Sequence, residues 1–270
     1  MSPLLLHTAL PHSNPGAGVS TAVRSNGNVR TTVQADPETG LPYGSYPRLV
    51  LAWITTEAVR TQCRRLVVGS SLSAFMRELG LSPTGGERGS ITYLREQIDR
   101  LVATRVLVTV SSASKSSGLS VEVAQAWDVW WSPDRPASRE IAAPTETAST
   151  ESVIVLGERF FKEVTRNPFP IDLRILKALA KSPLGIDLYS WLTYRVSYLQ
   201  RPVHIAWRQL HAQFGAGYTG DRGVVNFAAA AKRELRKIRV AWPALTYETP
   251  RGRLLLHPTV PSVAPRPLDP

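Results

Sequence analysis

A short stretch near the C-terminal end of the chain, NFAAAAKRELRKIRVAW at 226–242, contains side chains that can hydrogen-bond to bases and phosphates. Arginine can bind guanine through two hydrogen bonds, asparagine can bind adenine in the same way, and arginine and lysine bind phosphate. At about 100° per residue, a helix over this stretch has one outer face that presents Arg222, Asn226, Ala229, Ala230, Arg233, Arg236 and Lys237, with Lys232 and Arg239 nearer its flanks. We therefore expect this face to contact a nucleic-acid duplex.

The opposite stripe of the same helix is apolar and would seat it on its own domain: Val224, Phe227, Ala228, Ala231, Leu235 and Ile238. The alanines of the leading half would keep the helix thin enough for its backbone to approach base edges, and the basic second half would contact phosphates. An alternative is a solvated helix with no ligand, since Ala, Lys and Arg all have high helix propensity.

Three further arginines extend the expected contact surface. Arg208 precedes the turn that leads into this helix, and Arg251 and Arg253 lie at the tip PRGR between two strand-like segments. Side chains in such positions can grip the flanking phosphate backbone or the minor groove. The predicted DNA-binding set therefore comprises ten residues on three elements.

The distribution of charge supports this interpretation. The chain carries a net charge of +11, which favours an anionic partner such as nucleic acid or a membrane surface. Residues 1–151 contribute only +1, whereas residues 152–257 contribute +10. Because generic solubility charge would not divide so unevenly, we expect two domains, of which the second meets the polyanion.

Two blocks of the sequence share one order of elements. Each has three segments with helical spacing, the second of which ends at a glycine, followed by a strand-like pair of segments. The order is that of a helix-turn-helix with a β-wing, in which the later helix enters the major groove. The sequence therefore predicts an α+β, mostly helical protein with two tandem winged-helix domains.

An internal repeat supports the parallel between the blocks. Trp53 matches Trp191 at an offset of 138, Gly80 matches Gly215 at 135, and LVATRV at 101–106 matches LRKIRV at 235–240 at 134. Three ordered matches at a nearly constant offset indicate a duplication.

Composition suggests where the domains begin and end. Ser, Thr, Asn, Gly and Pro dominate residues 1–45, which predicts a flexible N-terminal tail. The first winged-helix domain is expected at 46–131, a linker rich in Pro, Ala, Ser and Thr at 132–152, the second domain at 153–257, and a flexible C-terminal tail at 258–270.

The third helix of the first block differs from that of the second. Its outer face includes Glu96 and Asp99, which would repel phosphates. We infer that the first domain binds DNA more weakly than the second and serves as a partner-binding or dimerising module.

The sequence lacks the motifs of several enzyme and metal-binding classes. GGERGS has no lysine to reach a nucleotide phosphate, the HIA at His204 is not the His-hydrophobic-His pair of rolling-circle nicking enzymes, and no carboxylate cluster suggests a two-metal nuclease. Cys63 is the only cysteine, and we expect His204 and His211 to have core or turn roles. We therefore expect a non-enzymatic protein with no cofactor and no metal. With no signal peptide or transmembrane segment, it should be soluble and intracellular.

Several long phrases resemble one family of proteins. GLPYGSYPRLVLAWITTEA, FMRELGLSPTGGERGSITYLREQIDRL, FFKEVTRNPFPIDLRILKAL, DLYSWLTYRVSYL and VHIAWRQLHAQFG are similar to the RepA-type plasmid replication initiators of bacterial broad-host-range plasmids. The likeness runs from about Gly40 to Pro258. The phrases are scaffold, so the DNA-binding residues named above depend on helical geometry alone.

The resemblance implies a cytoplasmic bacterial protein that binds repeated duplex sites (iterons) at its origin, helps to open it and recruits the host DnaA and replicative helicase. It also implies a homodimer through the first domain that represses its own promoter and so controls plasmid copy number. The residues alone do not separate replication from transcription. A winged-helix repressor bound to an operator, and an adaptor whose basic face binds acidic proteins, remain alternatives.

Overall fold

The computed structural model describes residues 1–6, 10–69, 71–112, 114–129 and 152–263. Within them, helices account for more residues than strands, and the strands form three small sheets. The fold is therefore mixed α+β, as the sequence predicts. The elements are α1 (Pro3–Leu6), β1 (Thr21–Asn26), β2 (Val29–Gln34), α2 (Tyr46–Thr61), β3 (Arg65–Gly69), α3 (Leu72–Glu78), α4 (Ser90–Val102), β4 (Arg105–Ser111), β5 (Ser116–Glu122), β6 (Ala124–Asp128), β7 (Ser152–Leu156), α5 (Glu158–Arg166), α6 (Leu173–Ala178), α7 (Pro183–Val196), β8 (Val203–Ala206), α8 (Trp207–Phe214), α9 (Gly223–Ala241), β9 (Tyr247–Glu248) and β10 (Arg253–Leu256).

The second unit, residues 183–256, runs α7, β8, α8, α9, β9 and β10. Its first helix begins where the sequence provides a start signal, because Ser182 Oγ accepts a hydrogen bond from the Gly185 amide and Pro183 occupies the first turn. The three strands form an antiparallel sheet in the order β8-β10-β9. This sheet holds the hairpin β9–β10 against the helices.

The first unit, residues 46–128, repeats the order of helices and strands as α2, β3, α3, α4, β4 and β5. The repeated tryptophans occupy matching places. Trp53 of α2 packs edge-on against Phe75 of α3 at a centroid distance of 4.9 Å, and Trp191 of α7 packs against Phe214 of α8 at 6.2 Å. The matched segments LVATRV and LRKIRV differ in structure, because α4 ends at Val102 whereas α9 continues to Ala241.

The prediction of a flexible tail over 1–45 is wrong for much of that segment. Strands β1 and β2 form a hairpin, and β2 pairs with β4 to give a sheet in the order β1-β2-β4-β5. Val33 and Leu41 are fully buried. The hairpin turns at Gly27, whose φ of +58° suits a two-residue loop. The segment is polar in composition, and the alternation of buried and exposed residues along β2 becomes apparent only when β2 is paired with β4.

The predicted start of the second domain at 153 is also wrong. Strand β7 lies between β3 and β6, with antiparallel pairing to both, so it completes a sheet of the first unit. The predicted linker at 132–152 lies outside the described residues except Ser152, which begins β7. Helices α5 and α6 then lead into the second unit, and α5 packs on α2.

The described part of the C-terminal segment is anchored, contrary to the prediction of a flexible tail at 258–270. Trp242 Nε1 donates a hydrogen bond to the Val260 carbonyl at 3.1 Å, and the hydroxyls of Tyr189 and Ser262 lie 3.0 Å apart. The remainder, 264–270, lies outside the described residues.

An ion pair between a buried arginine and a half-buried aspartate joins the two units. The Arg48 guanidinium of α2 donates to both carboxylate oxygens of Asp187 of α7 at 2.7 and 2.9 Å. Arg48 also donates to the carbonyls of Leu10, Pro11 and Gly44, and it is only 4% exposed. The N-terminal residues thereby help to fix α2 against α7.

Candidate nucleic-acid interface

One side of α9 forms an exposed basic stripe. Within the described part of the chain, Arg233 and Arg236 have no ion-pair partner. The stripe contains five of the predicted contact residues, all exposed: Arg222 at the N-cap, Asn226, Arg233, Arg236 and Lys237. The guanidinium, amide and ammonium groups of these residues can donate to base edges and phosphates.

Trp207 connects the other predicted elements to this stripe. Its backbone amide donates to the Gly252 carbonyl of the β9–β10 loop at 3.1 Å, and Lys232 Nζ lies 5.7 Å from the centre of its ring. Arg253 pairs with Ala206 across the sheet, which places the loop beside Arg208 in the first turn of α8. The structure therefore brings α8, α9 and the loop arginines to one region.

The two flanking cations of α9 are held by aromatic rings. Lys232 lies over Trp207, and the Arg239 guanidinium lies 5.1 Å from the centre of the Tyr247 ring. Burial raises the pKa of Tyr247 above its ordinary value, against the opposing effect of the Arg239 charge. These two positive charges are thereby positioned at the edges of the stripe.

The turn between α8 and α9 has a defined conformation. The His211 Nε2 atom lies 2.8 Å from the Tyr218 carbonyl, and Tyr218 packs edge-on against Phe227 of α9 at a centroid distance of 5.7 Å. His211 therefore has the turn role that the sequence predicts. No group of three residues able to hold a metal ion occurs among the residues that the structure describes.

Two assignments of faces on α9 are wrong. Ala230, predicted to face outward, is 4% exposed, and Val224, predicted to face the core, is 38% exposed. Of the four alanines, Ala231 is also buried, Ala228 is half-buried and only Ala229 is exposed. Helix α9 packs on α7 and α8. At its start, Gly223 and Phe227 are buried against the α8–α9 turn, whereas Val224 and Val225 are exposed.

Glu234 of α9 has a role that the sequence analysis did not assign to it. Its side chain is 11% exposed, and one carboxylate oxygen accepts a hydrogen bond from Lys237 at 2.8 Å. The other oxygen, Oε2, faces the first turn of α7, where a Cβ on Gly185 would lie 2.8 Å from it. A helix N-terminus favours a nearby carboxylate, and Glu234 places its carboxylate against the first turn of α7. The spacing Glu234–Lys237 was the available signal.

The equivalent helix of the first unit presents a different surface. Glu96 is exposed, and burial raises the pKa of Asp99 above its ordinary value. Arg100 donates to the Leu41 carbonyl at 3.2 Å and lies 5.4 Å from the centre of the Tyr43 ring. Arg100, one of the cations of this helix, is therefore already engaged within the chain.

Comparison with known proteins identifies the family. Residues 41–209 match the family described as "Plasmid encoded RepA protein". The chain belongs to this family of plasmid replication proteins, which confirms the resemblance found in the sequence. The match ends within α8 and therefore covers the scaffold but not the basic stripe of α9. No curated protein matches the sequence.

Two solved structures have a similar fold. The crystal structure of domains 2–3 of RctB shares 15% identity over 93% of this chain and 94% of that chain, with a TM-score of 0.58. A crystal structure of the selenomethionine derivative of RctB domains 2 and 3 shares 16% identity over 94% and 96%, with a TM-score of 0.59. At this level of identity the similarity concerns the fold, and it extends over both units.

Among the described residues, none of the helices combines the length and the apolar character needed to cross a bilayer.

Proposed function

We propose that this chain is a plasmid replication initiator that binds repeated double-stranded sites at its origin. In this proposal the two units are tandem winged-helix domains. Helix α9 is the recognition helix in the major groove, and the β9–β10 hairpin is the wing, with Arg251 and Arg253 on the flanking backbone.

A single observation carries the proposal. Lys232 of α9 and the β9–β10 loop both contact Trp207 at the start of α8, and the side chains of Val224, Val225 and Asn226 at the leading end of α9 are exposed. A helix that enters a groove needs exposed side chains at its N-terminal end. The elements beside it need cations that can reach the phosphates. The net charge of +10 over 152–257 supplies the long-range attraction.

The proposal also assigns a role to the first unit. Its third helix carries acidic groups and an engaged arginine, so it suits protein contacts better than phosphate contacts. We propose that this unit mediates homodimerisation, and that the bound protein helps to open the origin inside a bacterial cell and recruits the host DnaA and replicative helicase.

A footprint and a maintenance assay test the proposal. Purified full-length protein should protect tandem repeats in the plasmid DNA that flanks its gene, and it should maintain a replicon that lacks its own initiator when supplied in trans. The control is the double variant Arg233→Ala and Arg236→Ala, which should lose both activities while keeping its thermal unfolding midpoint. Protection of a single operator without replicon maintenance would favour the transcriptional repressor, and no duplex binding would refute both.

A further inference from the structure

A hydrophobic side chain lies exposed among the polar groups at the leading end of α9. Val225 is 59% exposed and directly precedes Asn226. At helical spacing, Val225 lies on the same stripe as Ala229 and Arg236, four and eleven residues further along. Val224 lies on the opposite side of the helix and is less exposed, at 38%.

Valine at position 225 does not stabilise the helix. β-Branched residues are poorer helix formers than the Ala, Lys and Arg that fill the rest of α9. At 59% exposure, the side chain also gains little from burial within the chain. The residue is therefore better explained by a contact made in the complex.

The neighbours of Val225 limit what that contact can be. Arg222, Asn226 and Ala229 surround it on the exposed stripe. The hydrogen-bonding groups among them suit base edges, and the one apolar group that a base pair presents in the major groove is the 5-methyl of thymine.

We propose that Val225 is a specificity-determining residue that packs against a thymine methyl group next to the base pair bound by Asn226. This inference rests on the proposed function, because it requires α9 in the major groove. It implies that every bound repeat contains a thymine at one fixed position.

Replacement of thymine by deoxyuridine tests this contact, because it removes only the 5-methyl group and keeps the base pairing. Each thymine of the footprinted repeat is replaced in turn, and the affinity of the full-length protein is measured by fluorescence anisotropy. For the wild-type protein, one position should weaken binding about four-fold, the effect of burying one methyl group. Val225→Ala should bind the unmodified repeat about as weakly and lose its sensitivity at that position.

Matched variants make the outcome specific. Val225→Thr keeps one branched methyl and should retain part of the sensitivity, and Val224→Ala, on the other side of the helix, should retain all of it. Val225→Ala that keeps the wild-type sensitivity, or wild-type protein that is insensitive at every thymine, would overturn the inference while leaving the proposed function intact. If no duplex is bound at all, the proposed function itself fails.

Discussion

At the scale of single residues, the exposed cations of α9 differ in how freely they can meet a ligand. Arg233 and Arg236 have no ion-pair partner within the described residues, whereas Lys237 is bonded to Glu234 and Arg239 lies over Tyr247. A cation that is already paired gains less from a new anion, because the first interaction must be weakened. Arg233 and Arg236 should therefore contribute more to binding than Lys237 or Arg239.

Removal of either free arginine should weaken DNA binding without unfolding the protein. We expect Arg233→Ala and Arg236→Ala each to lower the affinity for the origin repeat about ten-fold, within the range for a specific arginine contact. A variant that loses a phosphate contact should also reduce the slope of log K against log salt by about one. Titrations at several salt concentrations measure both quantities.

Arg60→Ala is the matched control for these variants. Arg60 is an exposed arginine of α2 that is paired with Glu57 in the same helix, so its loss removes one positive charge far from α9. Equal effects of Arg60→Ala and Arg233→Ala would mean that net charge, and not the stripe, determines affinity.

At the scale of elements, the contact between α7 and α9 determines which face of α9 is exposed. Ala230, Ala231, Leu235 and Ile238 of α9 are buried, and Glu234 Oε2 faces the first turn of α7. Gly185 permits this approach, because a Cβ there would lie 2.8 Å from Glu234 Oε2 and 3.0 Å from Ser182 Oγ. The absence of a side chain at Gly185 thus allows the close approach of α9, the helix proposed to contact DNA bases.

Gly185→Ala should therefore destabilise the protein, although alanine is the better helix former. We expect a loss of about 1 kcal/mol in the free energy of unfolding, the low end of the cost of overpacking. Urea denaturation at pH 7 measures it. The loss should shrink in a Glu234→Ala background, because the carboxylate that opposes the new methyl group is then absent.

Gly217→Ala provides the comparison for this element. No atom lies within 4 Å of a Cβ at Gly217 in the α8–α9 turn, and its backbone does not require glycine. The substitution should be neutral or slightly stabilising. A similar result for Gly185→Ala would show that α7 and α9 do not touch there.

At the scale of the whole molecule, the Arg48–Asp187 pair connects the two units. Burial by itself would raise the pKa of Asp187, but the charge of Arg48 and the hydrogen bonds from His12 and Arg48 outweigh burial and lower the pKa to about 2. A carboxylate whose pKa is lower in the folded state stabilises that state above its unfolded pKa. The stabilisation is therefore present above about pH 4 and is lost as the pH falls toward 2.

Acid should consequently lower the free energy of unfolding, because protonation of Asp187 removes this ion pair. We expect about 2 kcal/mol of the free energy of unfolding to disappear between pH 4 and pH 2, as measured by urea denaturation across that range. In Asp187→Asn this component should be missing, and the variant should be less stable at pH 7 by about 3 kcal/mol, because the Arg48 charge remains buried. Glu158→Gln, in an exposed pair with Lys162, should change little at either pH.

The family and the order of three helices before a strand pair could be predicted, because both depend on patterns within contiguous sequence. Strands β3 and β8, which follow the first helix of each unit, were not predicted. Three helices before a strand pair, the Trp53 and Trp191 matches and the long RepA-like phrases are visible in the sequence, and the family match confirms the phrases. The N-terminal hairpin and the place of β7 could not be predicted, since both join strands far apart in sequence. A polar edge strand resembles a loop until its partner is known.

The sequence by itself determined that α9 is an amphipathic helix with a basic face, because side-chain direction along a helix repeats at a fixed angle. Only the tertiary structure decided that Ala230 is covered, that Val224 and Val225 are exposed and that the Glu234 carboxylate lies against the start of α7. Helix geometry is a local property, whereas burial depends on which neighbours reach a given turn. Val224 is 38% exposed although Phe227, assigned to the same stripe, is fully buried, because the neighbouring elements do not cover every residue of a stripe equally.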